Sequence, residues 1–376
     1  MKKAAYSFVN MAVGILIIFV IGSISLVGVI FIERSRQSEP SALMTKNIVL
    51  PNETISRLVV NNDMTLFAVA SQDTHPVTTT AYLRIFPFGA AEPLFTFAVE
   101  VAIRALSIAP DGAYVAATLD DGRVLLFAQD VSGFHLQQVF PSHIDTCIRT
   151  ALRTYEFAGA TAFAPQGDWI AMSCRAGRVF MPSLKTRDTP MLLDSAIPKD
   201  SVAIQKPDII DVVFHEDGTL LAAVRADYQV DVWDLTTRTI TTSFHLSTAN
   251  FLAYRATFCT DSEALLITEQ LGNAQLWSLA QARLITRYEF PVSQLIEAVS
   301  ADCHTIVGRP LPVLPGLRSN TENAIYLHSI IGNRIDTVFL TNPTGVVTSV
   351  ALSRDAQWML TGDQQGVVAL WAIRSE

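Results

Sequence analysis

The sequence predicts an all-β array of seven copies of one unit, preceded by an apolar segment long enough to cross a membrane. Three observations carry this. A segment of about fifty residues recurs seven times between Arg57 and Glu376. Each copy runs from an apolar stretch through an Asp-centred turn into a second apolar stretch. A polar turn then leads to a third stretch that often ends in an aromatic residue. Repetition at this period signals a structural array.

The turn residues set the copies in order. They are Asp63, Asp111, Gln166 in the Asp slot, Asp217, Asp261, Asp302 and Asp355, at intervals of 48, 55, 51, 44, 41 and 53 residues. Constant internal order with variable spacing describes one unit with loops of different length. The flanking runs are four to eight residues long and rich in Val, Ile, Ala, Leu and Phe, which reads as strand. Asp-Gly at 111–112 and 217–218 is a strong hairpin signal, because both residues tolerate positive φ.

The third runs are DGRVLLFAQ (121–129), AGRVFMPSL (176–184), DYQVDVWDL (227–235), GNAQLWSL (272–279), NAIYLHSI (323–330) and QGVVALWAI (365–373). They resemble the third strand of WD-repeat (WD40-like) β-propeller blades, Val232-Trp233-Asp234 most closely. The resemblance covers about 330 of the 376 residues. It implies a seven-bladed β-propeller, one domain of radially arranged four-stranded blades, and a protein-binding platform. The chain departs from the family pattern. Only Trp233, Trp277 and Trp371 fill the Trp slot, with Phe127, Pro182 and Tyr326 elsewhere. The Asp before the third strand survives only at Asp121 and Asp227, and the Gly-His pair before the first strand is missing. The family's buried hydrogen-bond tetrads are therefore expected to be mostly absent, with apolar packing in their place.

Each blade needs an outer fourth strand, and EPLFTFAV, FHLQQVF, PMLLDS, TITTSFHL, ARLITRYEF and RIDTVFL follow the third runs. The seventh copy stops at Glu376 without one. The run Lys46 to Pro51 is expected to supply it, closing the ring and removing two open sheet edges. The expected organisation is an N-terminal tail and signal-anchor helix over 1–33, a linker over 34–45 and the propeller over 46–376.

Ala4 to Ile32 is 29 residues without a charge, behind Lys2-Lys3 and ahead of Glu33-Arg34-Ser35-Arg36. Roughly 20 apolar residues suffice to span a bilayer. A cleaved signal peptide has a shorter apolar core and a small-residue cleavage site, and neither fits here. Residues 4–32 are thus expected to anchor the chain by a single pass. The short basic tail favours the cytoplasmic side for itself and the extracytoplasmic side for the propeller. Cys147, Cys174, Cys259 and Cys303 scatter over different repeats with no Cys-x-x-Cys, so buried free thiols are expected in preference to a disulfide framework.

Beyond residue 40 the chain carries 23 basic against 33 acidic residues. An acidic domain lacks the electrostatic footprint of a nucleic-acid binder. In a blade with strands a to d from the axis outward, the d–a and b–c loops share one face and the a–b and c–d turns the other. The long insertions, 73–79, 142–156, 196–207 and 310–321, all fall on the d–a/b–c face. Insertions on one face of an array mark a binding face.

Two segments of those loops are candidate protein-binding sites. His143, Arg149, Arg153 and Tyr155 form a basic and aromatic cluster, and such residues anchor interfaces; a plain solvated loop is the alternative. PLPVLPGLR, from Pro310 to Arg318, is expected to be extended because proline restricts itself and its predecessor. Leu311, Leu314, Leu317 and Arg318 are its candidate contacts; a flap packed over the sixth blade is the alternative. There is no Gly-x-Ser-x-Gly elbow, His-Glu-x-x-His, phosphate-binding Gly-rich loop or sialidase-type Asp box. The seven His residues are dispersed. The expected function is a membrane-tethered interaction platform, a scaffold or accessory subunit without catalytic residues, cofactor or metal. A small-molecule-binding or metal-dependent hydrolytic propeller with its site at the axial channel is the alternative.

Overall fold

The structure is a computed structural model that describes residues 41–374 except 76–79, 141–159, 175–176, 187, 196–207, 247–252, 261–262, 270–271 and 312–321. The expected anchor over 1–33 lies outside the described residues. Among the described residues, no helix is long and apolar enough to cross a membrane.

Twenty-eight strands form seven four-stranded antiparallel sheets. The first strand, β1 (Ser41–Val49), belongs to the last blade. Blade 1 holds β2 (Glu53–Val60), β3 (Leu66–Asp73), β4 (Ala81–Pro87) and β5 (Phe95–Val99). Blade 2 holds β6 (Ile103–Ile108), β7 (Tyr114–Leu119), β8 (Val124–Asp130) and β9 (Gly133–Phe140). Blade 3 holds β10 (Thr161–Phe163), β11 (Ile170–Cys174), β12 (Arg178–Met181) and β13 (Met191–Asp194). Blade 4 holds β14 (Ile209–Phe214), β15 (Leu220–Arg225), β16 (Gln229–Asp234) and β17 (Thr239–His245). Blade 5 holds β18 (Ala253–Cys259), β19 (Ala264–Glu269), β20 (Ala274–Ser278) and β21 (Arg283–Tyr288). Blade 6 holds β22 (Gln294–Val299), β23 (Thr305–Pro310), β24 (Ala324–Ile331) and β25 (Arg334–Thr341). Blade 7 holds β26 (Val347–Leu352), β27 (Trp358–Asp363) and β28 (Val367–Arg374), with β1 outermost.

The ring closes as the sequence predicts. β1 pairs antiparallel with β28, Ile48 opposite Val368 and Val49 opposite Val367. The pairing is longer than expected: it begins at Ser41 opposite Arg374 and absorbs part of the presumed 34–45 linker. A bulge between Met44 and Lys46 shifts the register with β28 by one residue.

The a–b turns explain why an Asp recurs. At Asp63, Asp111, Asp217, Asp302 and Asp355 the carboxylate accepts the backbone N–H two residues on, at 2.7–3.2 Å. Such local bonds let Asp replace a missing ladder partner. The residue after the Asp slot has positive φ in each fully described turn: Gly112, Gly167 and Gly218, but also Met64 (58°), Cys303 (61°) and Ala356 (55°). A side chain there is strained.

Burial follows radial position. Middle strands such as β7 and β15 are buried on both faces, because each sheet is sandwiched between two others. Small residues (Ala68, Ala70, Ala116, Ala117, Ala222, Ala223) let the sheets approach there. Outer strands alternate, as β1 and β17 do, with one face on the neighbouring blade and one in water. Each of the seven junctions between blades has its own apolar cluster. The three tryptophans serve them: Trp233 is 1 % exposed, Trp277 stacks on Phe244 at 4.4 Å, and Trp371 packs against blade 6.

The expectation that apolar packing replaces the buried polar tetrads is corrected. Five blades carry buried polar networks built from other residues. Blade 1 has Glu53, Ser71 and Arg84, the Arg–Glu contact being 2.6 Å. In blade 4, Arg225 reaches Asp227 and Asp231, and Ser243 donates to Asp231. In blade 5, Trp277 donates to Gln275, Gln275 to Glu269, and Arg287 pairs with Glu269. Blade 6 has the row Gln294, His328, Thr337. In blade 7 Asn342 and Thr344 donate to Asp363, and Trp371 to Thr361. A buried polar group without a partner is costly, and most of these groups are matched within their blade; Arg287 Nε and Asn342 Oδ1 lack a partner among the described residues.

The cysteine expectation is also corrected. Cys259, at the end of β18, and Cys303, in the a–b turn of blade 6, form a disulfide between neighbouring blades. Cys174 is disulfide-bonded as well; Cys147 lies outside the described residues. Cysteines on different repeats looked unpaired in sequence because the array, not chain proximity, brings them together.

Replacing Ala356 by Gly removes its Cβ from the left-handed region. It should stabilise the propeller by about 0.5–1 kcal/mol, the strain relieved less the added freedom of the unfolded chain. Chemical denaturation checks this; a destabilised variant contradicts it.

Candidate functional site

The innermost strands wall the axial channel, and their side chains tie blade to blade. Arg57 Nε donates to the Arg104 carbonyl at 2.7 Å. Ser107 and Thr161 share a hydroxyl bond at 2.8 Å. The Ala256 N–H donates to Asp211 Oδ2 at 2.8 Å, and Arg255 to the Glu297 carbonyl at 2.7 Å. Thr348 donates to the Ile55 carbonyl at 2.6 Å, and the Leu58 N–H to Ser349 Oγ at 3.1 Å. The other two junctions are tied at their turns, by Gln166 Nε2 on the Asp217 carbonyl (2.7 Å) and the Ala301 N–H on the Arg354 carbonyl (3.1 Å).

The two mouths of the channel differ. On the tight-turn face lies a cavity of about 320 Å³ lined by Phe163, Phe214, Phe258, His215, Glu216 and Arg354, among others. Arg354 of blade 7 pairs with Glu216 of blade 4 across it. Around it the Thr260 N–H donates to the Ala301 carbonyl at 2.8 Å, and His215 stands edge-on to Phe258 at 5.2 Å. The turns of blades 4 to 7 are thereby linked.

On the d–a/b–c face the mouth is a cavity of about 410 Å³. Its lining includes Arg57, Arg104, Arg309, Leu311, Glu322 and Gln364. Arg104 pairs outward with Asp120 at 2.8 Å, and Arg309 with buried Glu297 at 2.8 Å. The strands flanking 73–79, 142–156, 196–207 and 310–321 make these connections b–c, d–a, d–a and b–c, as expected. All four open on this face. The c–d connections are short except 88–94 in blade 1 and 182–190 in blade 3, the latter where Pro182 ends β12.

Of the residues singled out in sequence, Leu311 is half-buried at this mouth. His143, Arg149, Arg153, Tyr155, Leu314, Leu317 and Arg318 lie outside the described residues. Arg57, Arg104 and Arg309 were missed. Arg57 and Arg104 sit on inner strands and Arg309 at the end of the second strand of blade 6, each an isolated cation in an apolar run, and only the ring brings them together. For Arg57 and Arg104 the signal was an Arg near the start of a first strand, as in RLVV and RALSI; Arg309, at the end of a second strand, shares no such signal. Among the described residues no group of three or more His, Cys, Asp or Glu is placed to hold a metal ion.

Half-buried Asp211 and buried His328 have opposite settings. Burial in the channel wall pushes the Asp211 carboxyl up to about 6, against the pull of the Ala256 N–H and Arg255. Burial lowers His328 to about 4, and it stays neutral between Gln294 and Thr337.

Residues 335–372 match the family described as WD domain, G-beta repeat. The match runs through β25, β26, β27 and into β28. It is thus one outer strand followed by three strands of the next blade, an offset that requires a terminal strand from elsewhere. No curated protein sequence matches the chain. The seven-blade architecture and this repeat together support a WD40-type propeller, a fold that generally binds protein partners.

Asp211→Asn tests the channel wall. The folded state takes up a proton at Asp211 between pH 3.8 and about 6, so that contribution is full below 3.8 and lost as pH rises through 6. His328 has the opposite sign: its contribution is full above 6.5 and lost as pH falls through about 4. The variant keeps an acceptor for Ala256 and removes one slope. At neutral pH it should gain up to about 3 kcal/mol over wild type. It should then lose stability more steeply from pH 6.5 to 4, as read by urea unfolding across that range.

Proposed function

We propose that the protein is a membrane-tethered interaction platform whose d–a/b–c face holds a protein partner. The concentration of the longest connections and the larger channel-mouth cavity on one face of the ring is the observation that carries this reading. The chain enters the ring at Ser41, opposite Arg374, at the c–d end of blade 7. Ser41, the first described residue of the ring, therefore lies on the tight-turn face. Residues 4–32 serve as the anchor, and the ring does no chemistry of its own in this reading.

The propeller is assigned to the extracytoplasmic side. Disulfides persist in oxidising compartments and are rare in the cytosol, and both Cys259–Cys303 and the bridge at Cys174 support that placement. On the chain-entropy view, closing a separation of 44 residues contributes roughly 4 kcal/mol.

The platform is tested by affinity purification in mild detergent. Shortening 142–156 or 312–321 should remove the partners that the wild-type chain retains, with the thermal midpoint of the ring little changed; partners retained by both shortened forms would exclude this face. Sidedness is tested by acid-trapping thiols and adding maleimide–polyethylene glycol before and after reduction. Modification only after reduction is expected. Freely modified thiols in unreduced protein would place the ring in a reducing compartment.

A further inference from the structure

We propose that the open channel mouth recognises a carboxylate of the bound partner, an acidic side chain inserted against Arg57. This rests on the platform reading and names the partner's chemistry. Three observations lead to it. First, the mouth on the tight-turn face is crossed by the Arg354–Glu216 pair, whereas the d–a/b–c mouth holds the larger cavity without such a bridge among the described residues. Second, that mouth is roomy, at about 410 Å³, and presents Arg57, Arg104 and Arg309.

Third, the three arginines are not equivalent. Arg104 and Arg309 are neutralised by Asp120 and Glu297. Among the described residues Arg57 is bound only to carbonyls, those of Arg104 and Ser56, each at 2.7 Å. The straps fix its guanidinium on Nε and one terminal nitrogen and leave the other terminal N–H groups for a ligand. A guanidinium held in place by the fold loses little entropy on binding and suits a planar carboxylate. The domain as a whole is acidic, but at physiological salt charges beyond about 8 Å are screened. The lining also holds the Glu322 carboxylate, so the guanidinium fork of Arg57, and not a net positive charge, selects the inserted group. Leu311 on the rim adds an apolar contact beside it.

The test uses the full chain in mild detergent and fluorescein-labelled hexaglutamate, followed by fluorescence anisotropy, with hexalysine as the control peptide. Wild type should bind hexaglutamate and not hexalysine. Arg57→Met should weaken binding about tenfold or more, while Arg334→Met, which removes the same charge from the outer strand of blade 6, should leave it unchanged. Absence of wild-type binding, or equal loss in both variants, overturns the proposal. Should Arg57→Met fail to fold by circular dichroism, Arg57→Lys carries the test. It keeps the charge and loses the fork, so affinity should fall at least about threefold; unchanged affinity overturns the proposal. The platform reading is scored separately, by whether any protein co-purifies with the wild-type chain. Partners retained by a folded Arg57→Met form sink the carboxylate site alone.

Discussion

Pairing of β1 with β28 is the interaction on which the ring depends. Every other blade is continuous in sequence, so its four strands find each other locally. Blade 7 alone is assembled from both ends of the propeller, with partners such as Ser41 and Arg374 more than three hundred residues apart. Without that pairing β28 is an unpaired edge, and the junction of blades 7 and 1 loses the seat of Ile48 and Leu50 in its apolar cluster. The Thr348 and Ser349 bonds to blade 1 hold only if the ring is shut. Closure is paid for once, by a long loop, and rewarded at a junction that the other six resemble.

The polar interior shows how a fold keeps a device while changing its parts. An Arg–Glu pair in blade 1, an Arg with two Asp in blade 4 and a Gln–His–Thr row in blade 6 occupy comparable positions between strands. Buried ion pairs and hydrogen-bonded rows add little net stability over apolar packing. What these groups supply is matching within a blade, because the bonds they make are to partners of the same blade. A repeat protein of similar strands needs such marks to keep neighbouring registers distinct.

Much of the fold was legible in sequence. The Asp turns, the three tryptophans and the run at Ile48-Val49 gave blade number, strand order and closure, because turn chemistry and alternation are local. What was not legible depends on the ring. Cys259 and Cys303 read as separate because they stand in different repeats, yet the array places their Cα atoms 5.3 Å apart. Glu53, Glu269 and Gln294 replaced the familiar tetrad residues at positions where no motif was sought. At the candidate site, the long loops could be assigned to a face from strand order alone. Arg57, Arg104 and Arg309 could not be grouped, since each belongs to a different blade and only radial packing makes them neighbours.

The direction in which β1 runs has a mechanical consequence. Force on the chain ahead of Ser41, applied along β1 itself, loads its backbone hydrogen bonds with β28 together. The same force applied sideways would break them one at a time from the Arg374 end. A domain threaded this way resists tension from its own leash best when pulled lengthwise, and opens like a zip when twisted off axis.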